Sequence, residues 1–167
     1  VISTRDPFGP ALSSNIRNFT SERHEGRVRL VMPQSGMSQD RWISSELVTR
    51  NHHLVDSWKV FIPKAGSGRE REVSGVDMVI FRPLSAGPNT VSTASYLVAG
   101  PLASAEEADN LAFYLSTRLV RFLVSLRKAS QNTTRDTYAW VPLQTWDRRW
   151  TEADHYANYG INEQEPA

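Results

Sequence analysis

Residues Ser104–Ala129, SAEEADNLAFYLSTRLVRFLVSLRKA, decide how the chain reads. Ser104 with Glu107 three positions later has the pattern of a capping box, in which a hydroxyl and a carboxylate satisfy the free N–H groups of a helix start. Glu106, Glu107 and Asp109 suit the positive end of the helix, Arg127 and Lys128 the negative end. Ala108, Leu111, Ala112, Leu115, Leu119, Phe122, Leu123 and Leu126 fall on one stripe at helical spacing. Tyr114, Arg118, Arg121, Ser125 and Lys128 share a different face. The pattern predicts one long helix over about Ala105–Ala129, with Leu115, Leu119, Phe122 and Leu126 buried.

Outward from this helix the periodicity changes. Arg27–Leu30 alternates basic and apolar residues and runs on through Val31-Met32 to Pro33, the pattern of a half-buried strand. Trp58–Ile62, ended by Pro63, and Val76–Phe81 read as further strands with a polar hairpin from Lys64 to Ser74 between them. Gly87-Pro88-Asn89 is a turn, and Ala94–Ala99 a strand closed by Gly100-Pro101. Ser38–Asn51 reads as a short helix with Trp42, Leu47 and Val48 inward, and Thr137–Val141 as a strand ended by Pro142. Thr151 caps a last short helix that Gly160 closes. The expected fold is mixed α/β (α+β): a single domain over residues 1–167, its central sheet packed by one long helix and several short ones.

A chain of 167 residues, 40% hydrophobic and 22% charged, is of a size to bury roughly 70% of its unfolded surface. No apolar run approaches the ~20 residues of a membrane span, and no secretory signal opens the chain. Cysteine is absent, which excludes disulfides and thiolate metal sites and makes a reducing, cytoplasmic location the default expectation. The chain begins at Val1 and ends at Pro166-Ala167, as a piece of a longer protein would. Net charge is only +1, but its distribution is uneven. Between Asn110 and Arg135 there is no acid, while Arg118, Arg121, Arg127, Lys128 and Arg135 are all basic. Such a stretch is either a phosphate footprint or a solvated helix face.

Motifs for covalent chemistry do not stand out. There is no Pro-Pro, hence no Asn/Asp-Pro-Pro-aromatic turn to hold a target amine, and no G-x-G-x-x-G turn for a nucleotide-like cofactor. Gly66-Ser67-Gly68 reads as a hairpin tip. None of the lysines Lys59, Lys64 and Lys128 follows an acid by two residues, as a metal-dependent nuclease would require. His24, His52, His53 and His155 lack metal-ligand spacing. The expectation is a non-catalytic chain with no catalytic residue, no metal and no cofactor of its own.

Several co-linear blocks nevertheless resemble a known family. Ser95–Leu102 (SYLVAGPL), Glu106–Leu111 (EEADNL), Tyr114–Thr117 (YLST), Arg121–Lys128 (RFLVSLRK), Gln131–Tyr138 (QNTTRDTY), Trp140–Pro142 (WVP), Trp150-Thr151 and Tyr159-Gly160 are similar to the C-terminal region of adenine-specific DNA methyltransferases of type II restriction-modification systems. The likeness lies with the group that can fuse methylation and cleavage in one chain. Ser3–Gly9 (STRDPFG) and Lys59–Ala65 (KVFIPKA) are two upstream blocks, and residues 10–40 match poorly. The resemblance implies a target-recognition region working beside a separate catalytic domain, which would bind S-adenosylmethionine and extrude the base. The implied partners are double-stranded DNA and that catalytic domain, with no membrane. In that role DNA is met by the loop after the long helix and by the preceding hairpin. Arg127, Lys128 and Arg135 suit phosphate or guanine, Gln131, Asn132, Thr133 and Thr134 suit phosphate oxygens or base edges, and Lys64, Arg69 and Arg71 are the DNA-binding residues expected on the hairpin. The alternative is a module that docks a protein partner without reading bases, with Trp146, Trp150, Tyr156 and Tyr159 as candidate contacts.

Overall fold

Strand β3, Trp58–Pro63, is the middle of the fold. In the computed structural model, which describes residues 2–3, 5–33, 40–65, 82–130 and 132–160, it pairs antiparallel with β4 (Leu84–Ala86) and with β6 (Tyr96–Leu102). A second sheet joins β1 (Arg27–Val31) antiparallel to β2 (Trp42–Ser44) and parallel to β5 (Thr90–Ser92). The class is mixed α+β, as expected. The described residues form two three-stranded sheets in the orders β2-β1-β5 and β4-β3-β6 rather than one central sheet. The predicted strand Val76–Phe81 lies outside the described residues.

Alternation along β3 separates two cores. Phe61, with Tyr96 and Val98 of β6, packs with Phe8, Leu12, Val28, Leu30, Ile43 and Val91. Val60 and Ile62, with Leu97 and Ala99, face the helical side with Leu111, Tyr114, Leu115, Val120 and Val124. Gly100 and Pro101, expected to end β6, lie inside it, at a register shift: Trp58 opposes Leu102 while Val60 opposes Ala99. A bulge is where a strand tolerates proline, which has no N–H to donate. Lys59 is fully buried, and its ammonium donates to the carbonyls of Val55, Ser57 and Gly87 at 3.1, 2.9 and 2.9 Å.

The predicted long helix is two helices, α1 (Ala105–Leu115) and α2 (Arg118–Arg127). At the N-terminus the Ser104 hydroxyl accepts from the Glu107 N–H at 3.1 Å, and Glu107 reaches back to the N–H of Ala103, one residue beyond the capping-box partner. Hydroxyls make the break: Ser116 donates to the Ala112 carbonyl at 2.9 Å and Thr117 to that of Tyr114 at 2.7 Å, competing with the backbone for its own acceptors. Glu152 then accepts from the Arg118 N–H at 2.6 Å, a carboxylate at the positive start of α2. The interruption changes the helical phase. Ala108, Leu111 and Leu115 are buried as expected, but α2 buries Val120 and Val124, while Leu119 is half-buried. Phe122 and Leu126, expected in the core, are 45% and 57% exposed. Tyr114, expected on the polar face, is buried, with its hydroxyl donating to the Pro142 carbonyl at 2.8 Å.

Two further expectations are corrected. The segment read as a helix over Ser38–Asn51 contains β2 followed by a 3-10 turn, Ser45–Leu47, because Trp42 pairs with both Arg29 and Thr20. Thr137–Val141, read as a strand, belongs to the 3-10 helix Arg135–Tyr138 and the turns after it. The last helix, α3 (Glu152–Tyr159), is capped by Thr151 and closed by Gly160 in the left-handed conformation, as expected.

α3 is held by His155, which is fully buried between the rings of Tyr114 (5.4 Å) and Trp150 (6.4 Å, stacked). Neither ring nitrogen has a hydrogen-bond partner among the described residues. Burial lowers its pKa, opposed by the nearby carboxylates of Glu152 and Asp154. The folded state therefore takes up this proton less readily than the unfolded chain, so stability falls as pH drops through about 6.5, the unfolded value. Thermal melting between pH 7 and 5.5 is expected to show this slope, and His155→Phe to flatten it; an equal slope in the variant would mean that other groups cause it.

Candidate nucleic-acid interface

The end of β3 and the loop after α2, far apart in sequence, are tied together by one residue. Thr133 donates its N–H to the Lys64 carbonyl at 2.8 Å, and its hydroxyl donates to the same oxygen at 3.2 Å. The Lys64 ammonium in turn donates to the Ala94 carbonyl at 2.6 Å. Burial is the main cause that lowers the Lys64 pKa; Asp6 opposes it and Arg5 adds to it. Around this clip runs a groove of about 640 Å³, lined by Arg5, Asp6, Ser14, Lys64, Asn132, Thr134, Arg135 and Asp136 among others. Three cations face two carboxylates there, with exposed amide and hydroxyl groups between them.

The expected contact residues separate by role. Asn132, Thr134 and Arg135 are exposed on the groove wall, and Lys64 is half-buried in it. Thr133 is buried, so it positions the loop and does not reach a ligand. The Thr134 N–H donates to the Thr137 hydroxyl at 3.0 Å, which starts the 3-10 helix and fixes the direction of Arg135. Arg127, exposed at the end of α2, lies with its guanidinium 4.8 Å over the ring of Trp140. Lys128 is the C-cap residue of α2, half-buried, with its N–H on the Ser125 carbonyl. Arg69, Arg71 and Gln131 lie outside the described residues.

Arg5 was not among the expected contacts, although its side chain is 90% exposed and lines the groove. Its sequence block, STRDPFG, was the available signal. Trp140, outside the expected contacts as well, is 54% exposed. Of the aromatic residues expected at a docking surface, Trp146 and Trp150 pack against the helical core and Tyr156 is half-buried, while Tyr159 is exposed.

A second cleft, about 490 Å³, also lined by Arg135 and Asp136, opens between the end of β6, α1 and Tyr138–Trp146. Among the described residues no cluster of three or more His, Cys, Asp or Glu side chains converges. Among the same residues no helix is long and apolar enough to cross a membrane. No family model, no curated protein and no solved structure matches the chain.

Proposed function

We propose that this chain is a DNA sequence-recognition region of an adenine-specific restriction-modification methyltransferase, acting beside a catalytic domain that carries S-adenosylmethionine. The observation that carries the reading is the groove in which Lys64, Asn132, Thr134 and Arg135 meet, joined by Arg5. Cations there neutralise phosphates, and the amide and hydroxyl of Asn132 and Thr134 have the donors and acceptors for base edges. The chain's own part is binding and orientation in a cytoplasmic enzyme, with no catalytic step.

Duplex affinity measured against salt tests this. Replacing Arg127, Lys128 and Arg135 together by Ala should flatten the log–log salt slope by roughly 0.9 for each phosphate that is no longer neutralised. Changing Asn132 or Thr134 should instead alter preference among sequences, by about 1–3 kcal/mol where the side chain bonds a base edge well. An unchanged slope and affinity in a folded triple variant would turn the reading to the alternative, a protein-docking module. The exposed Phe122 and Leu126 on α2 favour that alternative.

A further inference from the structure

We infer that the groove selects two C·G base pairs, one through Arg5 with Asp6 and the other through Arg135 with Asp136. The inference rests on the DNA reading above and names the bases that the site prefers. The tripeptide Thr-Arg-Asp occurs twice in the sequence, at residues 4–6 and 134–136. The Arg-Asp part of both copies lines the same groove. Arg5, Arg135 and Asp136 are exposed there, and the side chain of Asp6 is 30% exposed. These charges are not spent on each other. Arg135 and Asp136 form no ion pair among the described residues, and Arg5 and Asp6 stand 3.9 Å apart, at the outer limit of one. Both copies are also held from behind: the Asp6 carbonyl accepts the Gly9 N–H and the Asp136 carbonyl the Ala139 N–H, each at 3.1 Å. A turn formed before the ligand arrives lowers the cost of ordering it on binding.

The two carboxylates decide the reading. Cations alone are enough for phosphates, and a carboxylate beside them only weakens that attraction. On a wall that meets base edges a carboxylate has a use, because it accepts from the N4 amino group of cytosine. The neighbouring arginine donates to O6 and N7 of guanine. A C·G pair carries these groups together on its major-groove edge, and no A·T pair has two adjacent acceptors on one base. An adjacent arginine and aspartate therefore complement one C·G pair. The rest of the lining fits DNA better than a protein partner. The centre of a protein interface is poor in charge and rich in aromatic side chains. Here the largest apolar lining residue, Leu97, is 1% exposed, and the walls offer charge, amide and hydroxyl groups instead.

The test selects duplexes retained by the chain from a library randomised over the central base pairs, and sequences them. The enriched motif should fix C·G at two positions or more. At each, exchange for A·T should weaken binding at least about fivefold, the low end for one well-made base contact. Arg135→Ala and Asp136→Ala should relax one and the same position, and Arg5→Ala and Asp6→Asn the other. Asp6 is changed to Asn because its φ of 52° is left-handed, which asparagine tolerates. N4-methylcytosine at the position assigned to Asp136 puts a methyl group where the donor stood. It should weaken the wild type and leave Asp136→Ala unchanged. Carboxylates that merely repel phosphate would give the opposite result: their removal would tighten binding to every sequence and keep the motif. A motif with fewer than two fixed C·G positions, or one that survives intact in either pair of folded variants, overturns the inference and leaves the DNA reading standing. A folded chain that retains no duplex, or all duplexes alike, overturns that reading and the inference with it.

Discussion

Replacement of Lys59 by Met is expected to lower the unfolding free energy by about 3 kcal/mol, although methionine matches the shape of the lysine stem. Three carbonyls, those of Val55, Ser57 and Gly87, converge on one ammonium, and that of Val55 also accepts the Thr90 N–H at 3.5 Å. An inward acceptor left without a donor costs about 1–3 kcal/mol, so the loss at Ser57 and Gly87 together outweighs any one hydrogen bond of the sheet. Relief of the ammonium's own desolvation offsets part of this. Burial, opposed by Asp56, lowers its pKa to about 8. Because the folded value lies below the unfolded one, the wild type should gain stability as pH rises from 8 towards 9.5, and the Met variant should gain less, keeping only the part that Lys64 contributes. Above about pH 10 the sign reverses, since burial raises Tyr96, Tyr114 and Tyr138 to about 12 and the unfolded chain ionises first. Urea unfolding of both proteins across this range checks the claim; a variant as stable as the wild type at pH 7 would show that the carbonyls find other donors.

Tyr114→Ala is expected to have an effect at least as large, about 3–5 kcal/mol, the usual range for deleting a buried aromatic ring. The ring touches Trp146 and His155, and its hydroxyl holds the Pro142 carbonyl, so one side chain fastens both α3 and the preceding loop onto α1. Tyr114→Phe keeps the ring and removes only the hydrogen bond, and should cost about 1–3 kcal/mol by leaving that carbonyl unpaired. Phe122→Ala is the control: this residue is 45% exposed, so its removal should cost much less, about 1 kcal/mol. Comparable destabilisation by Tyr114→Ala and Phe122→Ala in denaturant melts would contradict the phase of α2 described above.

What the amino-acid pattern revealed depended on whether local chemistry decided the outcome. The start of α1 and both ends of α3 were legible because Ser104, Thr151 and Gly160 act on neighbouring backbone. β1 and β3 were legible from alternation and from an apolar run between proline and polar flanks. The stripe from Ala108 to Leu126 misled, since a continuous period assumes a continuous helix. Ser116 and Thr117 are ordinary helix residues by propensity, and only their hydrogen bonds to Ala112 and Tyr114 interrupt it. The short strands β2, β4 and β5 have three residues each, too few for a period to show. At the candidate site the loop around Asn132–Arg135 was picked out by residue type. The clip from Thr133 to Lys64 spans 69 residues of chain, and no local pattern encodes it.

A sheet that is wet on one face is aligned by polarity, because a slip of one residue would turn its apolar set outwards. β3 has no such guide. Sliding it by one position would exchange Phe61 for Val60 or Ile62, one oily residue for another, on both faces at once. Hydrophobicity cannot choose between these alignments. The correct one must be chosen by volume, a phenyl ring on one side against branched aliphatics on the other, and by the few features that cannot slide. The ammonium of Lys59, caged by three fixed carbonyls, and the bulge opposite it at Gly100 and Pro101 are such features. Together they act as an indexing pin, setting where the strand stops as it seats between two interchangeable oils.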